Sequence, residues 1–153
     1  MKKLFPIALS SGIIAAIWAI TTMNYGLNTF AGFLAWSTYF STQGGKKGLK
    51  TTLICNISGA SWGVIIVFLN NLLIPYIGPI ASVGLSTAFG AIFIILQSNI
   101  KILYYIPATF IGLSAFFASG NDYQSTVIAL IIGGFLGIIS DKFGKILDIN
   151  LST

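Results

Sequence analysis

The sequence has no histidine and no glutamate, a single cysteine, and charged residues at only 7% of its 153 positions. Each shortage excludes something. Without His and Glu the usual general acids, general bases and transition-metal ligand sets are missing, so no enzyme, metal or cofactor is expected. One cysteine, Cys55, excludes an intramolecular disulfide and a cysteine metal cluster. The charged fraction is far below the roughly 25% of a soluble domain. No Asp, Lys or other charge lies deep within any apolar run. That argues against a proton-coupled pump or a voltage sensor, which need intramembrane charge.

What is present is apolar: 56% of residues are hydrophobic. No soluble fold of this size buries so much apolar surface, so the chain reads as one polytopic, all-α membrane domain over 1–153. Six spans are expected at 5–23, 26–41, 51–70, 79–97, 102–119 and 124–141. Lys2 and Lys3 precede the first; Lys46, Lys47 and Lys50 follow the second; Lys101 follows the fourth; Lys142 and Lys145 follow the sixth. With six crossings every lysine falls on one side, which the positive-inside rule makes cytoplasmic, together with both termini. The net charge of +5 is spread among membrane segments and does not point to nucleic acid. An alternative reading of residues 1–19 is a secretory signal peptide. Turns are expected at Asn24–Tyr25, Gln43–Gly45, Gln97–Asn99 and Gly120–Asp122, with Asp122 capping the sixth helix and a longer outer loop from Asn70 to Pro79. Residues 142–153 read as a short interfacial, cytoplasmic tail.

The helix from Tyr25 returns eighty positions later. Tyr25, Thr29, Phe30, Gly32 and Ala35 are matched by Tyr105, Thr109, Phe110, Gly112 and Ala115. Leu9-Ser-Ser11 resembles Leu85-Ser-Thr87, and Gly59-x-x-x-Gly63 resembles Gly133-x-x-x-Gly137. These matches share one order, so the chain divides into two three-helix units, 5–70 and 79–141. Three spans per unit invert the second copy in the membrane, a transporter and channel signature that puts a solute path near the repeat interface. Thr29, Phe30, Gly32, Asn56, Thr109, Phe110 and Gly112 are the candidate path residues, with Phe30 and Phe110 as a paired constriction. Lys46, Lys47 and Lys50 are a candidate cytoplasmic mouth for anions, or simply a topology signal. Gly59, Gly63, Gly133 and Gly137 are expected in close helix packing. Asn56 is costly in lipid and should face protein or water. Tyr25, Tyr39, Trp36, Trp62, Tyr76, Tyr104 and Tyr105 read as an interfacial aromatic belt.

Ala31-Gly-Phe-Leu34, Tyr39-Phe40, the Gln43-Gly-Gly-x-Lys-Gly-Leu49 turn and Ile106-Pro-x-Thr-Phe-Ile-Gly112 resemble a family of small bacterial inner-membrane proteins of uncharacterised function. The resemblance implies that location and no activity. More distantly, Lys47-Gly-x-x-x-Thr52 followed by Gly59-x-x-x-Gly63 is similar to the membrane half of fusaric-acid-resistance-type aromatic-acid exporters, whose additional cytoplasmic domain has no counterpart here. Three functions are weighed. The leading expectation is a passive channel or facilitator for a small polar or weakly anionic metabolite, as a homo-oligomer in the lipid bilayer. An efflux carrier for organic acids is second. A non-transporting scaffold or accessory subunit is third.

Overall fold

The structure is a computed structural model that describes residues 4–152. Its side chains are described to residue 147; Lys2, Lys3 and the Asp148 side chain lie outside the described residues. It is all-α: α1 Phe5–Tyr25, α2 Thr29–Ser41, α3 Gly45–Leu96, a 3-10 turn Gln97–Asn99, α4 Ile106–Ala118 and α5 Tyr123–Ser152. Three stretches are long and apolar enough to cross a membrane: Phe5–Tyr25, Gly45–Asn99 and Tyr123–Leu147. Large apolar side chains cover the outside, from Ile17 and Ile20 on α1 to Phe135 and Ile139 on α5.

The long α3 is broken at Gly78, whose φ of 77° and ψ of 166° fall in a region open only to glycine. Pro79 follows, where a missing N–H costs nothing at a helix start. The two arms, 45–77 and 79–96, double back on each other. Trp62 stacks on Phe93 with ring centroids 5.7 Å apart. Gly90 lies against Ile66, and the Ser58 hydroxyl donates to the Gln97 side chain at 3.0 Å. The expected outer loop from Asn70 to Pro79 is therefore helical up to Ile77, and the reversal is compressed into one residue. Pro75 sits within the helix, as membrane helices tolerate.

The two middle helices are shorter than expected. Each has 13 residues, or about 20 Å. Residues 26–28 and 102–105, included in the expected spans 26–41 and 102–119, are not part of them: Tyr25 and Asn28 bracket a left-handed Gly26, and α4 starts only after Tyr105, with proline in its first turn. Asn28 caps α2 by accepting from the Ala31 N–H at 2.9 Å. Asp122 accepts from the Ser125 N–H at 3.0 Å, the cap anticipated for the last helix. That helix runs unbroken through 142–152, so the expected separate tail is a continuation of α5. At this end Gly144 touches Ile7 of α1.

The core lies between α2, the first arm of α3, α4 and α5. It is built mostly of small residues: Ala31, Ala35, Ala60, Ala115 and Ala129 surround Phe116 and Leu130. A second cluster, Ile66, Ile94 and Leu113, joins the two arms of α3 to α4, with Phe110 at its edge.

Candidate functional site

Glycines set the crossings. A Cβ on Gly59 would strike the Thr109 carbonyl, and one on Gly112 would strike the Asn56 carbonyl, so α3 and α4 meet backbone to backbone. A Cβ on Gly133 would strike the Gly32 carbonyl, so α2 and α5 meet in the same way. One turn further along, Gly63 lies under the Phe116 ring and Gly137 under the Tyr39 ring. Gly59, Gly63, Gly133 and Gly137, expected in close helix packing, all lie at these approaches. Gly32 and Gly112, expected along a path, sit at the same crossings.

The other path candidates separate. Phe30 is 57% exposed on the outer surface, while Phe110 packs beside Ile66 and Ile94. No paired constriction forms, because the α2 crossing turns Phe30 outward. Thr29 donates to the Thr22 hydroxyl at 2.6 Å, and its carbonyl accepts from Trp18 Nε1 at 3.2 Å. Thr109 is fully buried beneath Gly59 and accepts from the Gln97 amide at 3.4 Å.

Asn56 remains. It is fully buried on the first arm of α3, and neither its Oδ1 nor its Nδ2 has a partner in the protein. One turn earlier, Thr52 is also fully buried, and its hydroxyl is unpaired too. Thr hydroxyls in helices normally bond the carbonyl four residues back; here the Gly48 carbonyl accepts from Thr42 instead, at 3.2 Å. Further along the arm, Asn70 has a buried, unpaired Oδ1. Positions 52, 56, 60, 63, 67 and 70 recur at helical spacing on one face. That face therefore carries unpaired polar atoms on both sides of an apolar stretch formed by Ala60, Gly63 and Val67, which packs into the alanine core.

Several polar anchors were not visible as such in the sequence. Gln97, expected in a simple turn, accepts from Ser58 and from Trp62 Nε1 at 2.9 Å and so ties both arms of α3 to α4. Trp36 is buried and donates to Ser140 at 3.0 Å. Tyr39 is fully buried; its hydroxyl donates to Asp141 at 3.1 Å and accepts from the Gly45 N–H at 2.8 Å. Trp36 and Tyr39 are thus buried and Trp62 half-buried, each hydrogen-bonded within the protein, whereas Tyr25 and Tyr76 are 77% and 80% exposed. Asp141 also pairs with Lys145 at 2.8 Å.

At the lysine end, two shallow cavities adjoin. One, of about 290 Å³, lies between Ser41, Thr42, Gln43, Lys47, Tyr104 and Tyr105. The other, of about 220 Å³, is bounded by Lys47, Lys50, Lys101, Ile54, Ile102 and Tyr104. Lys46 contributes to neither. The two cavities share Lys47 and Tyr104. No group of His, Cys, Asp or Glu among the described residues could hold a metal ion.

Residues 8–145 match the profile of DUF1097, a family of proteins of unknown function. The chain belongs to the DUF1097 family. It is similar to the inner membrane protein YcdZ of Escherichia coli (strain K12), with 38% identity over 69 residues, 44% of this chain and 42% of YcdZ. It is also similar to the uncharacterized protein YahC of the same strain, with 29% identity over 154 residues, 95% of this chain and 93% of YahC. No solved structure matches. The DUF1097 profile spans every crossing glycine described above, as well as Thr52, Asn56 and Asn70.

Proposed function

We propose that this chain is a passive facilitator for a small polar or weakly anionic solute, a six-span inner-membrane protein with an inverted three-plus-three repeat. The observation that carries the reading is Asn56. A buried amide without partners costs on the order of several kcal/mol in an apolar interior, and its offset-74 counterpart, Leu130, is a fully buried leucine. Under the repeat, the equivalent place in the second unit holds an apolar side chain of similar branching. An amide kept there at such cost is suited to a ligand that both donates and accepts hydrogen bonds. Asn56 and Thr52 on one side of the apolar layer, and Asn70 on the other, make a polar–apolar–polar face on α3, with the alanine layer as a closed hydrophobic gate.

The matched glycines support the repeat. Gly59 and Gly112 lie where α3 meets α4, and their counterparts Gly133 and Gly32 lie where α5 meets α2, although Gly59 meets the Thr109 carbonyl while Gly133 meets that of Gly32 and Gly32 itself faces the Trp18 ring. The break at Gly78 and the return of the second arm support six crossings rather than five. Exposed apolar flanks suit lipid and a homo-oligomer.

The test is solute flux into liposomes containing the purified protein, with small neutral and monoanionic solutes. Asn56→Leu should abolish flux, and Ala60→Ser, which wets the gate, should raise it. If neither variant differs from wild type, the facilitator reading fails. The close alanine packing at the midplane favours a second reading, an accessory subunit that transports nothing; wild-type liposomes no more permeable than empty ones would move it to first place. Accumulation above equilibrium that collapses with a protonophore would instead favour an organic-acid carrier.

A further inference from the structure

The cavity bounded by Lys47, Lys50 and Lys101 brings together three lysines from two parts of the chain more than fifty residues apart. None of the three pairs with a carboxylate; among the described residues the one ion pair is Lys145–Asp141. Three like charges around one cavity repel each other unless an anion sits between them. The walls between the lysines are apolar, formed by Ile54 and Ile102, and the cavity is open on one side. The neighbouring cavity, sharing Lys47 and Tyr104, is the more polar of the two and offers Ser41, Thr42 and Gln43.

We propose that this pair of cavities binds an anionic glycerophospholipid with a polyol headgroup. The phosphate sits among Lys47, Lys50 and Lys101. The headgroup hydroxyls reach Ser41, Thr42 and Gln43. The glycerol backbone and the start of an acyl chain lie along Ile54 and Ile102. Charge complementarity selects the phosphate, and the apolar wall selects a lipid over a free anion, which would gain nothing from Ile54 or Ile102. Basic cavities between helices at the cytoplasmic interface are suited to such headgroups. The site does not depend on transport. It would tie the α2–α3 turn to the segment before α4, which at present are joined by Tyr105 donating to the Ser41 carbonyl at 3.4 Å.

The experiment is native mass spectrometry of the purified, delipidated protein titrated with phosphatidylglycerol or phosphatidylcholine in detergent. Wild type should bind phosphatidylglycerol preferentially. Lys50→Gln with Lys101→Gln should weaken it about 25-fold, at about fivefold, or 1 kcal/mol, per lysine. Lys142→Gln removes one charge at the same end outside the cavity and should leave binding unchanged. If the double variant does not fold, Lys101→Gln alone, at an exposed position, should lose about fivefold. Equal binding of the two lipids by wild type, or an equal loss in Lys142→Gln, overturns the proposal. So does displacement of the lipid by inorganic phosphate at comparable concentration, which would assign the site to a free anion.

Discussion

At Asn56 a primary amide with two donors and two acceptor lone pairs is fully buried and satisfied by nothing in the protein. Removing a buried, unpaired polar group is a rare substitution that stabilises. Asn56→Leu should therefore raise thermal stability in detergent by about 1–3 kcal/mol, while Leu130→Asn, the reciprocal change at the offset-74 position, should lower it by a similar amount. Thermal melts of the two variants check this, and a loss of stability in Asn56→Leu would show that the amide has a structural partner after all.

Among the elements, the crossings and the break in α3 are the parts most sensitive to a single methyl group. Gly59→Ala and Gly133→Ala push a Cβ into a facing backbone carbonyl, which cannot swing aside as a side chain can. Both should lose about 1–3 kcal/mol or more. Gly12→Ala and Gly84→Ala, which have nothing within 4 Å of the added carbon, should be neutral. Melting temperatures of the four variants, measured side by side, separate contact glycines from incidental ones. If Gly59→Ala and Gly133→Ala differ widely, the two crossings are not equivalent and the repeat loses its main support. Gly78→Ala tests conformation alone, because an added Cβ there also meets nothing within 4 Å while φ stays at 77°. It should cost about 1–3 kcal/mol through backbone strain.

For the whole molecule, topology and energy coupling are the open quantities. Single cysteines at Gln43 and Asn99 in a Cys55→Ser background should resist an impermeant thiol reagent in intact cells, and a cysteine at Asn121 should react. Asn99 is a better probe than Gln97, whose side chain is engaged with Ser58, Trp62 and Thr109. Labelling of either lysine-side position from outside would refute the six-span arrangement. Flux should depend weakly on pH between about 6 and 8, since that range normally needs a histidine and the chain has none; a steep profile would point to a coupling proton.

The all-α membrane class and the cap at Asp122 were legible in the sequence, and so was a reversal before Pro79, though as a loop from Asn70 rather than a break at one glycine. Each follows from something local: the transfer energy of an apolar run, a backbone region open only to glycine, or a carboxylate placed to accept a free N–H. The direction in which each helix faces was not legible. In a membrane both the lipid side and the protein side of a helix are apolar, so no polar stripe separates them, and packing rather than hydrophobicity holds the helices together. Phe30 therefore read as interior and is exposed, while Trp36, Tyr39 and Trp62 read as interfacial and are hydrogen-bonded anchors. The same limit hid which glycine meets which carbonyl, since that depends on where two backbones cross. It also hid Asn56: a polar residue in an apolar run has a visible cost, but only the tertiary packing decides whether a neighbouring helix meets it with a partner, and here none does.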